Sequence, residues 1–477
     1  ELQAEQTAQD GRPSKRARHA YEDEWGGPAK ESADELPSED VDVEPEKRCR
    51  ILVTGFSNVA IDNLASGLLR HGVRVVRAGR GATQLQHISL RELMQQDPDW
   101  PYLKDLEKSP DPKSWAKARE LEQTLQGRVV DGADVVIATC ISSGGRDLAF
   151  GLSANTFTHV LMDEAAQASE PAALVPLTQG CEKLVLVGDQ AQLAPQLSSN
   201  VAQRLGLGES LFGRLVRVGV HACFLDTQYR MHPALAAYPS AAFYAGRLAS
   251  GVGEDDRPPP RGIAWPHANA DGQGATPLAF LGIGDEAACN EDGFAVEVQV
   301  GTSRANRDEA RVLATVAAQL TRNLPPGGLA IITPYAAQID ALREELRRAR
   351  VEPLPTIATV DSFQGMEHEV ILVSAVRASR HGMAGAGFLS DVRRLNVLLT
   401  RARRGLLLVG HIATLLRDPA WGGLLVDMWR RGLVKGEGRE PLQRLGAADG
   451  SAPNMGSAAP QVRFPSGPRT WLAFAGR

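Results

Sequence analysis

Two adjacent carboxylates, Asp163 and Glu164, follow the apolar run Val160-Leu161-Met162. Such a run reads as a short buried strand that delivers both acids to its carboxyl end. There the first carboxylate can hold Mg²⁺ and the second can orient or deprotonate an attacking water. The competing reading is an acid pair at a helix start, where the dipole favours negative charge. Four other polar groups carry comparable chemistry: Gly188-Asp189-Gln190-Ala191-Gln192, Gln228-Tyr229-Arg230, Asp361 to Glu367, and Asn396 to Arg403 with Arg401. Acids in the first half and arginines in the second suggest a nucleotide held between two lobes. Planar guanidinium groups suit the charge that develops on a transferring phosphoryl group.

The elements that must position these groups alternate between strand and helix. Ile51–Thr54, Val73–Val76, Val135–Thr139, Val160–Met162 and Leu184–Val187 read as strands, with a helix over Val59–Leu69 capped by Ser57 or Asn58. Residues 80–130 read as a helical insertion. From Ala222 the pattern repeats: strands at Leu278–Leu281, Leu329–Thr333, Ile357–Val360, Val370–Ala375 and Leu406–Val409, with helices at Asn306–Leu320, 336–349 and Asp391–Arg401. Alternation over this length predicts an α/β fold of two doubly wound parallel sheets. The expected domains are 51–221 and 222–415, followed by a helix and flexible tail over 416–477. Every polar motif is expected at the carboxyl edge of its sheet.

The composition fits a soluble nucleic-acid partner without demanding one. The 477 residues are 43% hydrophobic and 23% charged, ordinary for a globular protein. No apolar run spans a bilayer. Five cysteines without a C-x-x-C pair argue against zinc or a disulfide framework. Residues 1–50 carry 14 acidic and 8 basic side chains, so the net charge of −5 resides there. That segment is expected to be disordered and acidic. Its Lys15-Arg16-Ala17-Arg18 run reads as a nuclear-localisation or phosphate-contacting cluster, or as a solvated tail. The acidic total does not exclude nucleic acid, because only the local groove potential matters.

The ordered motifs resemble those of superfamily 1B helicases, in the group of the nonsense-mediated-decay RNA helicase, senataxin and the immunoglobulin-mu-binding helicase. The similarity covers ILVTGFSNVAIDNL (51–64), Val136–Ser142, DEAAQASEP (163–171), LVGDQAQLAP (186–195), QYRMHP (228–233), GTSRANRDEA (301–310), ITPY (332–335), DSFQGME (361–367) and LNVLLTRAR (395–403). The resemblance implies two RecA-like domains using ATP and Mg²⁺ to move along single-stranded RNA or DNA, in the 5′ to 3′ direction. It implies a monomer, cytoplasmic or nuclear, with no membrane attachment. By this resemblance Asp163 holds the metal, Glu164 is the catalytic base and Gln192 senses the γ-phosphate. Arg230 and Arg401 clamp the phosphates, with Arg403 beside them. Glu367 meets the nucleotide sugar, and Tyr229 packs near the base. Ser57, Asn58, Thr139, Thr333, Pro334 and Ser362 match positions lining the strand track. Structural alternatives stand beside these: Ser57 and Asn58 as helix caps, Tyr229 and Phe363 as core aromatics, Asp189 as a loop brace, Arg403 as a solvated helix end and His232 as a turn former.

One motif is missing. The family's phosphate-binding loop, G-x-x-x-x-G-K-[ST], cradles phosphates with backbone N–H groups and pairs a lysine with the β/γ oxygens. The chain has nine lysines, and none follows a glycine. The first sheet is therefore expected to be incomplete at its N-terminus, with backbone groups unpaired where a strand belongs. The first residue is Glu1, not Met, and the expectation is a fragment whose loop lies upstream. The alternative is a catalytically incomplete, non-hydrolysing nucleic-acid-binding scaffold.

Overall fold

Continuous apolar runs become the strands of two buried parallel sheets, as expected for strands covered on both faces. The computed structural model describes residues 50–79, 83–145, 148, 157–268, 274–284, 297–378, 387–448 and 470–475. The chain divides after Arg48, and the described residues belong to the unit Cys49–Arg477. The acidic segment over 1–49 and its basic run lie outside them.

The strands in chain order are β1 (Ile51–Gly55), β2 (Val75–Arg77), β3 (Val135–Thr139), β4 (His159–Asp163), β5 (Lys183–Gly188), β6 (Cys223–Phe224), β7 (Thr227–Gln228), β8 (Ala249–Ser250) and β9 (Leu278–Gly282). There follow β10 (Glu297–Val300), β11 (Ser303–Asn306), β12 (Leu329–Thr333), β13 (Thr356–Thr359), β14 (His368–Ser374), β15 (Ala402–Gly410), β16 (Val434–Gly436) and β17 (Thr470–Ala475). The first sheet runs β2-β3-β1-β4-β5-β17-β6, and the second β13-β12-β14-β15-β9-β16. Within the first sheet Gly55 lies opposite both Thr139 and Asp163. The segments after β1, β3 and β4 therefore leave along one carboxyl edge.

The α/β class and the two parallel sheets match the sequence reading, but three details differ. In the first sheet, expected to be incomplete with backbone groups unpaired, β5 is hydrogen-bonded to β17 over six residues, antiparallel. Cys223–Phe224 pairs with β17 and so belongs to the first sheet, not to the repeat after residue 221. The chain beyond 435 is not wholly a flexible tail: β16 extends the second sheet beside β9, and Glu440–Ala448 is helical. Pairing at both places satisfies backbone donors and acceptors that would otherwise be bare.

Side-chain caps set the helix starts. Ser57 Oγ accepts from Ala60 N at 3.2 Å and opens the helix Asn58–Arg70. Asn306 Oδ1 accepts from Asp308 N and Glu309 N, each at 3.1 Å, and opens Arg307–Leu320. The insertion is the helices Leu90–Met94, Trp100–Lys108 and Pro112–Gly132, whose Leu103, Leu106 and Leu125 join the first core. Phe280, Phe363 and Trp421 are fully buried in the second core. Truncating Phe363 to Ala should cost about 3–5 kcal/mol, the usual range for a buried Phe. Among the described residues no helix is long and apolar enough to cross a membrane.

Candidate active site

Asp163 ends β4, and Glu164 begins the turn that follows with φ +51°. A non-glycine residue in this region is strained, and such strain is held only where surroundings fix it. Here Asp163 Oδ1 accepts from Glu164 N at 2.9 Å, and Glu164 Oε2 accepts from Gln167 Nε2 at 2.8 Å. Ala165 N, in turn, donates to Val187 O of β5 at 2.8 Å. Burial raises the Asp163 carboxyl above its ordinary range. Burial raises Glu164 too, reinforced by the Asp163 charge and opposed by the Gln167 hydrogen bond and the Arg401 charge. Two half-buried carboxyls with raised pKa are a pair that a cation would stabilise in the charged form.

After β5, Asp189 is buried, and its carboxylate is occupied by donors. Ala191 N (3.0 Å), Gln192 Nε2 (2.6 Å) and Tyr244 Oη (2.7 Å) all point at it. Asp189 thus braces its loop. Gln192 passes the contact on: its Oε1 accepts from Arg401 Nη2 at 3.0 Å. Arg401 is 2% exposed and also donates to Val397 O (3.1 Å) and Thr400 Oγ1 (3.0 Å). Asn396 Nδ2 reaches Ala191 O at 3.0 Å and Tyr244 Oη at 2.8 Å. A buried hydrogen-bond network therefore joins the two lobes directly beside the carboxylates.

Arg230 pairs through Nε with Glu367 and donates from Nη1 to Thr400 O at 2.9 Å. Asp163, Glu164, Asp189, Gln192, Arg230, Gly365 and Arg401 line one cleft of about 170 Å³. A second opening of about 410 Å³ lies among the insertion helices at Glu107, Trp115 and Gln126. It gathers none of the carboxylate–arginine set. Arg403 is paired with Glu369 at 3.1 Å and sits 3.8 Å from Glu367, so it is not a solvated helix end. Tyr229 is 66% exposed and Phe363 is fully buried, so only Phe363 is a core aromatic. His232 caps the helix Pro233–Phe243 by accepting from Ala234 N at 3.0 Å, and burial lowers its pKa.

The strand-track candidates fall into two groups. Ser57 and Asn58 are exposed at the carboxyl edge, and Asn58 Oδ1 accepts from the buried Arg77 Nη2 at 2.8 Å. Thr139 caps its short helix and donates to Ser142 Oγ at 2.8 Å. In the second lobe Ser362 is exposed, while Thr333 and Pro334 are buried. Thr333 faces Thr359 across β12–β13, and Ile332 faces Val373 of β14, so these segments share one carboxyl edge.

The expectation that every motif sits at a carboxyl edge is corrected here. Glu367 immediately precedes β14, and Arg401 immediately precedes β15. The parallel register places His368 beside Ala402, so both groups leave from the amino edge of the second sheet. The first lobe thus meets the cleft with its carboxyl edge and the second with its amino edge. The segment Val360–Glu367 crosses between the two edges of the second sheet, anchored by Phe363. Sequence reasoning also passed over Arg77, Tyr244 and Glu309. Glu309 lay within a quoted motif, but nothing in the string showed that its carboxyl is fully buried.

The fit to a nucleotide and metal is partial. Among the described residues no group of three or more His, Cys, Asp or Glu side chains could hold a metal alone. Asp163 fits a cation that completes its shell with water and phosphate oxygens. The arginines fit phosphate oxygens, but among the described residues no lysine lines the cleft and no glycine-rich loop faces it.

Two family models, each described as an AAA domain, match residues 107–200 and 207–413. The regulator of nonsense transcripts 1 homolog of Arabidopsis thaliana is 37% identical over 401 residues, 79% of this chain and 30% of its own length. The ATP-dependent helicase NAM7 of Saccharomyces cerevisiae is 34% identical over 411 residues, 81% of this chain and 40% of its own. The chain thus spans less than half the length of these relatives. Among solved structures, an arterivirus nonstructural protein 10 (helicase) bound to DNA aligns with 77% of this chain and 56% of its own at 12% identity. The TM-score of that alignment is 0.35.

Proposed function

The chain belongs to the superfamily 1 helicases, in the group of the nonsense-transcript regulators, and on that premise we propose that it is the two-lobed core of an ATP-driven motor on single-stranded nucleic acid. The observation that carries the reading is the cleft in which Asp163 and Glu164 of one lobe meet Arg230 and Arg401 of the other. ATP with Mg²⁺, when bound, supplies the phosphoryl group whose transfer to water drives the cycle.

The chain's own residues would act as follows. Asp163 would hold the metal. Glu164, its pKa raised, is basic enough to take a proton from water at Oε once ionised. Gln192 ties Arg401 to the first lobe, so a shift at either is felt by both. Arg230 is presented by Gln228, whose Oε1 accepts from Arg230 N at 2.9 Å and from Met231 N at 2.7 Å. Val360–Glu367 is a short link between cleft and track, with Gly365 and Glu367 at one end and Ser362 at the other. On the track, Ser57, Asn58, Thr139 and Ser362 offer side chains, and Thr333 and Pro334 offer backbone, as sequence-tolerant strand binding requires. Tyr229, exposed beside Arg230, is the cleft's candidate to pack on the base.

The missing cradle favours a second reading for these residues alone, a strand-binding scaffold that does not turn over. The test is ATP hydrolysis with and without single strand, in this chain and in one extended to include a phosphate-binding loop. This chain should show negligible turnover, and the extended one strand-stimulated turnover that disappears in Glu164→Gln. Turnover in the extended chain that survives Glu164→Gln would refute the assignment.

A further inference from the structure

At the carboxyl edge of the second sheet one aromatic ring is exposed, and its placement is built. Phe388 keeps 40% of its surface open, while the next residue, Leu389, is buried. Two side chains hold it, and the residue before it is packed against a third. The Arg394 guanidinium carbon lies 3.5 Å from its ring centroid. Tyr335 meets it at 6.4 Å between centroids, tilted by 48°. Gly387, at φ +59°, lets the chain pass so close to Arg377 Nη1 that a Cβ there would collide with it.

The supports are themselves fixed. Arg394 is paired with Asp361 at 2.9 Å and Asp391 at 3.3 Å. Arg377 is paired with Glu297 at 2.6 Å and approaches Tyr335 Oη at 3.5 Å. Both supports connect to the track segments: Tyr335 follows Thr333 and Pro334, and Arg394 is tied through Asp361 to the segment that carries Ser362. A rigid ring, stacked on a guanidinium and left open between two stretches of strand-facing backbone, has the form of a base-stacking surface.

We propose that Phe388 is a stacking platform for one nucleobase of the bound single strand. This rests on the strand-binding reading above and adds to it a contact to a base, where the other candidates offer phosphate or sugar contacts. The contact is sequence-tolerant, because every base has a π face, and it favours purines by area.

The test measures binding of this chain to a labelled oligoadenosine single strand and to an abasic strand of equal length. Phe388→Ala should weaken oligoadenosine binding by about ten-fold, as one lost stacking contact implies, and leave abasic binding unchanged. Phe388→Leu, which keeps apolar volume, should show the same loss, and Phe388→Trp should retain affinity. Equal loss on both strands, or full affinity in Phe388→Leu, overturns the platform. If the unaltered protein binds neither strand, the strand-binding reading fails and the platform with it.

Discussion

Replacing Glu309 by Gln should make the protein more stable at about pH 8. Glu309 is fully buried, and its Oε2 accepts from Ser374 Oγ at 2.5 Å and from Val376 N at 2.8 Å. These bonds hold the turn after β14, where Val376 has φ +69°, a strained value for a β-branched residue. Burial pushes the carboxyl up to about 8 from 4.5, with Asp308 adding to the rise and hydrogen bonds from Ser374 and the Val376 and Ala375 backbone opposing it. Between those two values the folded protein keeps a proton that the unfolded chain has lost. Stability contributed by this group is therefore complete below pH 4.5 and falls as pH rises toward 8. At about 1.4 kcal/mol per unit the window amounts to roughly 5 kcal/mol as an upper bound. The amide introduced by Glu309→Gln would keep an acceptor for Val376 N and carry no charge. Urea unfolding at about pH 5, 6.5 and 8 is the assay. The wild type should lose several kcal/mol across the series, and Glu309→Gln should lose much less. Asp163 and Glu164, raised by burial, leave a residual slope of the same sign, and His232, lowered by burial, acts oppositely. An undiminished slope in the variant, or a variant less stable at pH 8, would rule out Glu309 as the source of the slope.

Three further outcomes are expected. In a turnover-competent extended chain, Arg401→Ala should abolish hydrolysis while single-strand affinity changes by less than about two-fold, since Arg401 is held by Gln192, Val397 and Thr400 at the cleft and not on the track; an equal loss of strand binding would contradict its placement. Arg77→Met should destabilise by about 3–5 kcal/mol, because Asp62 loses its buried partner at 3.1 Å. The pair Arg77→Met with Asp62→Leu should recover most of that stability in urea melts but not the strand affinity, because Asn58 stays unheld. In the metal-free protein the Glu164 carboxyl, followed by NMR, should titrate above the ordinary carboxylate range, since burial and the Asp163 charge raise its pKa, and Mg²⁺ should bring it down; a metal-free titration at or below the ordinary range would contradict this.

Much of the fold was legible because continuous apolar runs such as Leu329–Thr333 and Val370–Ala375 have one reading when bounded by turns. The cap at Ser57 was legible for the same local reason. The cleft was legible as a list of motifs, but its geometry was not. Which sheet edge a motif leaves from depends on whether it ends one strand or opens the next, and Arg401 and Glu367 open strands. Asp189 could not be told from a metal ligand until Tyr244, 55 residues away, was seen to donate to it. The pairing of β17 with β5 was invisible because Thr470–Ala475 is one short run far from its partner, and contact at that separation leaves no local period.

Nucleotide and strand coupled through the interlobe cleft would each change the affinity for the other. The direct measurement is single-strand affinity with and without a saturating non-hydrolysable ATP analogue and Mg²⁺, in a chain that carries the phosphate-binding loop and in its Arg401→Ala variant. Nucleotide should shift strand affinity several-fold in the first, an ordinary coupling of about 1–3 kcal/mol. Arg401→Ala should show no shift, with its nucleotide-free affinity unchanged. A shift of equal size in both proteins would contradict coupling through the cleft.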